Sequence, residues 1–339
     1  MAAPLISIMA ENAGLPLIYC SSNIRDRNFL AQRKCGSGFW KCLSTMNTFL
    51  KQMQTVNVEL RNLLGQIVEV NPSLKVKASR LLADLVSCKR VMVAFSGGID
   101  STLVTYLAKL ALNENVIAVT GNSPSLPTFE LQETKKLAEQ MGVKHMIIRT
   151  EELADPNYTS NPVNRCYFCK KELGEKLLKL ARSLGDYVII DGTNAEDLKG
   201  HRPGAAALTE HGIRRPLAEV GMSKAEVREL SKQLGLPNFD KPSMPCLSSR
   251  VEYGQIITPN KLHRIERSED LIRSMTGAKE LRVRDHGSLA RIEVGSGERR
   301  LFFDEKLLDD ITKALHEFGF TYVTFDLAGY RSGSMNQKP

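Results

Sequence analysis

Residues 91–101 read Val-Met-Val-Ala-Phe-Ser-Gly-Gly-Ile-Asp-Ser. The first five are an unbroken apolar run, as expected of a strand buried on both faces of a parallel sheet. Gly97 and Gly98 end it, and the apolar spacing over 101–112 predicts a helix. A strand feeding a glycine turn and then a helix N-terminus makes an anion site. The first helical N–H groups have no intrahelical partner, and the peptide dipoles place partial positive charge there. The glycines let backbone amides approach an oxyanion closely. Ser96 and Ser101 offer hydroxyl donors, and Asp100 can hold Mg2+ against phosphates or cap the helix. The loop lacks the lysine and the length of the GxxxxGK[ST] nucleotide loop. By themselves, two adjacent glycines suit a plain strand–turn–helix connection better.

Outward from this segment, strands and helices alternate. Strands are predicted over 116–120, 145–149 and 187–191, and helices over 128–141, 170–184 and 223–234. The last opens with Ser223 and Glu226, a capping box. The pattern predicts an α/β fold, an open parallel sheet covered by helices. Upstream, helical spacing runs over 60–68 and 77–86. A Pro- and Ser-rich stretch over 242–253 precedes a change of pattern: helix 259–274, strands 280–284 and 289–294, helix 304–318, strand 321–326. This is a small C-terminal α+β domain. The expected organisation is an extension over 1–59, a main domain over 60–254 and a small domain over 255–339.

The chain has 339 residues, 42% hydrophobic and 25% charged, as in globular domains. No apolar run approaches the roughly 18–20 residues of a membrane span, so no membrane association is expected. Of the net charge of +8, +7 falls in residues 1–90 and +1 in the rest. A bulk basic field for nucleic acid is therefore missing from residues 91–339, and no nucleic-acid partner is expected. Seven cysteines, an odd number without a clear secretory signal, suit a reducing, cytoplasmic setting. Residues 1–45 are basic like a transit peptide, but Glu11 and Asp26 interrupt them.

The hexapeptide 96–101 after its apolar strand resembles the PP-loop of the ATP pyrophosphatase superfamily. That superfamily cleaves ATP between its α and β phosphates and transfers AMP to a carbonyl or carboxylate oxygen. Further segments narrow the resemblance: Asp191-Gly-Thr-Asn194, Arg202-Pro-Gly204, Asp240-Lys-Pro242, Pro245-Cys-Leu-Ser-Ser-Arg250, Leu281-Arg-Val-Arg-Asp-His286 and Gly329-Tyr-Arg-Ser-Gly-Ser-Met-Asn336. Over roughly residues 60–337 the series is similar to the LarE family of ATP-dependent sulfur transferases. Arg215 departs from the small residue expected before Pro216.

The resemblance implies an enzyme that adenylates carboxylates of a pyridinium dicarboxylate mononucleotide and converts them to thiocarboxylates, on the way to the nickel-pincer nucleotide. It implies ATP and Mg2+ as cofactors, a small-molecule nucleotide substrate and a homo-oligomer. Carried over residue by residue, ATP falls to Ser96, Gly97, Gly98, Asp100 and Ser101. Asp191 and Asn194 join them, because ligands of open α/β sheets bind at the carboxyl ends of strands. Arg282 and Arg284 alternate on one strand and point to one face. Arginine forks suit a phosphate, although a solvated strand face is the better reading without the family. With Arg250 and Glu269 they are the candidate substrate-phosphate residues.

Cys246 matches the family's active cysteine, which in one form of the family surrenders its own sulfur and becomes dehydroalanine. Cys166-Tyr-Phe-Cys169 supplies two more thiols. A zinc site would want two further ligands nearby. Three thiols suit a [4Fe–4S] cluster with one open iron, which some family members use to carry a transferable sulfide. Cluster, sacrificial cysteine and inert thiols all remain open from the sequence. The alternatives in function are a PP-loop tRNA thiolase with a [4Fe–4S] cluster, an amide-forming PP-loop synthetase, and a degenerate PP-loop protein kept as an interaction module.

Overall fold

The computed structural model describes residues 72–198 and 203–331, which belong to one compact unit. The helix predicted over 60–68, the extension over 1–59 and Arg202 lie outside the described residues. Helix α1 (Pro72–Cys88) buries Leu74, Ala78, Leu81, Leu82 and Leu85, one stripe at helical spacing. It leads into β1 (Val91–Ala94), then α2 (Ile99–Leu112), β2 (Val116–Asn122), α3 (Thr128–Gln140) and β3 (Lys144–Arg149). Next come the short α4 (Pro156–Thr159), α5 (Arg165–Ser183) and β4 (Val188–Asp191). The short α6 (Pro203–Glu210) and α7 (Pro216–Glu219) precede α8 (Lys224–Gln233).

The four strands form a parallel sheet in the order β3-β2-β1-β4. Successive side chains of β1 point to opposite faces. Val91 and Val93 pack against Leu81, Leu103, Leu107 and Val227. Met92 faces the other way, among Ile117, Val119, Leu177 and Ile189. Both faces are covered, which is why the strand reads as a continuous apolar run. Helix α5 begins at Arg165 instead of near 170, and so carries Cys166 and Cys169 in its opening turns.

Beyond a 3-10 turn (Leu247–Arg250) lie α9 (Pro259–Thr276), β5 (Leu281–His286), β6 (Leu289–Val294), α10 (Glu305–Glu317) and β7 (Tyr322–Phe325). The second sheet has the order β5-β6-β7. Its first pair is antiparallel and its second parallel, with α10 as the crossover that a parallel connection needs. Ile272, Val283, Ile292, Phe302 and Leu315 form its core. Tyr158, Leu247, Val251, Ile257, Leu262 and Ile265 form a further cluster that packs α4, the 3-10 turn and α9 together, and a bridge pairs Val251 with Asp285 of β5. Among the described residues no helix is long and apolar enough to cross a membrane.

Candidate active site

The loop after β1 is closed from inside. Gly97 has φ +69°, and a Cβ there would lie 2.7 Å from Thr134 Cγ2, so only glycine fits without strain. Ser101 is buried. Its hydroxyl donates to Gly98 O at 3.0 Å and accepts from the Ser96 amide at 3.3 Å. Asn238, buried beneath the loop, donates to Gly97 O at 3.1 Å and to Thr102 Oγ1 at 2.9 Å. No motif pointed to Asn238. Ser101 thus shapes the loop, while Ser96, Gly98 and Asp100 face the adjoining cavity.

The end of β4 braces this loop. A Cβ on Gly192 would stand 2.5 Å from the Ser101 amide nitrogen, so the chain there lies directly against the start of α2. Asn194 donates to Asp100 Oδ1 at 3.0 Å, and its own carbonyl accepts from the amides of Glu196 and Asp197. Asp191 accepts from the Thr193 amide at 2.7 Å and sits 3.7 Å from Arg215 Nε. Asp191 and Asn194 are buried, and Asn194 lies against Asp100. Burial pushes the Asp100 carboxyl up, against the Asn194 hydrogen bond, with Asp197 adding to the rise.

A cavity of about 600 Å3 opens from the loop. Ser96, Gly98 and Asp100 line it, and so do Cys166, Cys169 and Cys246. Two buried carboxylates on its wall carried no sequence motif. Glu130 pairs with Lys241 at 2.8 Å, and Glu152 accepts from the hydroxyls of Ser123 and Ser125. In each, the second carboxylate oxygen has no hydrogen-bond partner.

Cys246 caps the 3-10 turn, with its carbonyl accepting from Ser249 Oγ at 2.7 Å and Arg250 Nη1 at 3.0 Å. Cys166 is exposed, whereas Cys169 and Cys246 are half-buried. Burial, followed by the Glu152 charge, pushes the Cys169 thiol up, and Cys246 and Cys166 add to this. Tyr158 lies beside them with its hydroxyl 2.6 Å from Ser248 Oγ. Burial, then Cys246, holds that phenol well above its ordinary range. Three thiols on one wall have the donor chemistry of an iron–sulfur centre. As placed, no three His, Cys, Asp or Glu side chains among the described residues stand together as a closed metal-ligand set.

The four candidate phosphate residues lie under the Cys246 loop and do not line the cavity. Arg250 is fully buried, with Nε and Nη2 on Glu269 at 2.9 and 3.1 Å. Its Nη1 donates to the carbonyls of Pro245 and Cys246. Arg282 donates to Ser243 O at 3.0 Å and stacks over Tyr330. Burial, with Arg250 close by, pushes its guanidinium down to about 10. Arg284 pairs with Glu293 at 2.7 Å and donates to Ser249 O at 3.0 Å. Burial works against the Glu269 charge, but Arg250, Arg273 and Arg282 outweigh it and hold its carboxyl low.

An amide-lined loop, a carboxylate and thiols around one cavity can activate an oxyacid and replace its oxygen with sulfur. Residues 79–243 match the NAD synthase family. An uncharacterized protein of Synechocystis sp. is 47% identical over 248 residues, 73% of this chain and 92% of its own length. The pyridinium-3,5-bisthiocarboxylic acid mononucleotide synthase of Lactiplantibacillus plantarum is 37% identical over 265 residues, 78% of this chain and 95% of its own. An uncharacterized protein of Methanocaldococcus jannaschii is 31% identical over 258 residues, 76% and 97% of the two chains. Likeness of that extent to the Lactiplantibacillus synthase makes this chain a member of its family, the LarE family of PP-loop, ATP-using sulfur transferases.

Proposed function

We propose that the chain adenylates the carboxylates of pyridinium-3,5-biscarboxylic acid mononucleotide and converts them to thiocarboxylates for the nickel-pincer nucleotide. The observation that carries this reading is the single cavity shared by the phosphate loop and three thiols. A carboxylate is a poor electrophile, because its leaving group would be oxide. The start of α2, with Ser96 and Gly98 beside it on the cavity wall, is the anion site for the triphosphate, and the Asp100 carboxylate suits Mg2+. A substrate carboxylate oxygen attacks the α-phosphorus, the bond to the bridging oxygen breaks, and pyrophosphate leaves. A sulfur nucleophile then attacks the acyl carbon, and AMP departs with the electron pair of the broken C–O bond.

The sulfur side rests on Cys166, Cys169 and Cys246. A [4Fe–4S] cluster held by these three thiols would leave one iron open and supply an exchangeable sulfide. A second reading rests on Cys246 alone, which lines the cavity with the phosphate loop: its thiolate displaces AMP to form an acyl thioester, and loss of the Cα proton with cleavage of the Cβ–S bond releases the thiocarboxylate and leaves dehydroalanine. The near-neutral charge beyond residue 90 supports a small nucleotide over a nucleic acid, and the odd cysteine count supports a reducing cytoplasm. A homo-oligomeric state rests on family membership alone.

Pyrophosphate release from ATP with the dicarboxylate mononucleotide tests the activation step. No release with it, or release with tRNA instead, overturns the proposal. Anaerobic purification with iron and sulfide analysis tests the sulfur source. About four irons per chain, lost in Cys166→Ala, Cys169→Ala and Cys246→Ala, supports the cluster. No iron, together with conversion of Cys246 to dehydroalanine after turnover, read by peptide mass spectrometry, supports the sacrificial route.

A further inference from the structure

The loop carrying Cys246 is pinned at its ends by Lys241 on Glu130, by the Leu247 amide on Ser125 O at 2.8 Å and by Ser248 on Tyr158. Residues 241–246 lie outside any helix or strand, and a 3-10 turn follows. Its carbonyls are taken up from below by three arginines. Arg282 holds Ser243 O, Arg250 holds the oxygens of Pro245 and Cys246, and Arg284 holds Ser249 O. Arg282 Nη2 also lies 3.4 Å from Met244 Sδ. The guanidinium groups are fixed in turn. Glu269 grips Arg250 through both oxygens and also accepts from the Val283 amide at 3.0 Å. Glu293 grips Arg284 through Nε and Nη2. Relative exposures are 0% for Arg250, 1% for Arg282 and 5% for Arg284. None of the three lines the cavity.

We infer that Arg250, Arg282 and Arg284 are positioning residues: they fix the Cys246 loop over the cavity by binding its carbonyls. Two of them project from alternate positions of β5, so the small sheet serves as the mounting for the sulfur-transfer cysteine. The rigid guanidinium fork explains the choice of residue. Arg250 and Arg284 each answer a carboxylate on one edge and loop carbonyls on another, which a lysine point charge cannot do. The inference rests on the proposed function for the role of Cys246, while the contacts themselves do not.

The test uses Arg282→Lys and Arg284→Lys in the full-length chain, with two readouts. The first is the rate of Cys246 alkylation by iodoacetamide, followed by peptide mass spectrometry with Cys166 as internal control. The second is kcat and KM for pyridinium-3,5-biscarboxylic acid mononucleotide in thiocarboxylate formation. Misplacing a reacting group by about 1 Å costs up to roughly 100-fold in rate, so thiocarboxylate kcat is expected to fall about 10- to 100-fold. KM is expected to hold within about twofold, and Cys246 alkylation to change while that of Cys166 does not. A rise in KM of about tenfold or more with Cys246 alkylation unchanged makes these residues phosphate ligands and overturns the inference. Unchanged alkylation with unchanged kcat overturns it too. If Arg282→Lys fails to fold, Arg284→Lys, at the other end of the loop, carries the test. Should the wild-type chain make no thiocarboxylate, the functional reading fails on its own, and the alkylation comparison still decides the clamp.

Discussion

The side-chain amide of Asn194 donates a 3.0 Å hydrogen bond to Asp100 Oδ1, joining the end of β4 to the phosphate loop that follows its neighbour β1. The same side chain accepts two backbone N–H groups of the following turn. Asn194→Ala removes all three bonds at a buried position. A loss of about 1–3 kcal/mol is expected from the orphaned groups, measured by urea unfolding. Pyrophosphate release is expected to fall with it, whereas Asn194→Asp, which sets a like charge against Asp100, is expected to abolish release.

The Asp100 carboxyl is raised by burial. An acid raised on folding binds its proton more tightly in the folded chain. Its contribution is therefore fully present below the unfolded value and is lost as pH rises through the folded one. Asp100→Asn lacks this loss. The stability of the variant relative to wild type is expected to grow as pH rises from below the ordinary carboxylate range through the raised titration of Asp100. Paired urea titrations at each pH check it, and a flat difference would refute it.

Gly192→Ala tests the close approach of β4 to α2. The added Cβ meets backbone atoms of Ser101 at 2.5 and 2.7 Å, and backbone cannot rotate away. Overpacking of this kind costs about 1–3 kcal/mol or more. The expected outcome is a lower unfolding midpoint together with weakened ATP binding by calorimetry. Gly221→Ala, with nothing within 4 Å but φ +70°, is expected to weaken stability without the binding defect.

Helix α8 opens with a complete capping box: the Ser223 hydroxyl accepts the Glu226 amide and the Glu226 carboxylate accepts the Ser223 amide. Ser223→Ala is expected to cost about 1 kcal/mol. Burial opposes the Glu226 charge, but Lys77 and Ser223 outweigh it and lower its carboxyl. Its contribution is present above the unfolded value and lost as pH falls through the folded one. Glu226→Gln is therefore expected to be costly at neutral pH and nearly silent in acid, which unfolding midpoints at the two pH values would show.

The sheet was legible because its strands carry their own evidence. Val91 to Ala94 is apolar on both sides because helices cover both sides. The hydroxyl and carboxylate of the capping box sit at fixed offsets in the chain. The opening of α5 was not legible. Arg165 to Cys169 has no apolar period, and its cap Asn164 makes no side-chain cap bond. It is helical because its neighbours pack it, with a Cβ on Gly204 falling 3.1 Å from the Cys166 carbonyl. The alternation of Arg282 and Arg284 gave their common face correctly, but what covers a face is a tertiary fact. Here it is the loop of Cys246. Glu130, Glu152 and Asn238 came from separate segments with no shared spacing, so only the folded chain brings them to the site.

The phosphate loop and the thiols open into the same chamber. An acyl adenylate formed there meets the thiols without leaving the cavity. Coupling efficiency, the number of thiocarboxylates made per ATP cleaved, is then governed by how well the chamber excludes water between the two chemical events.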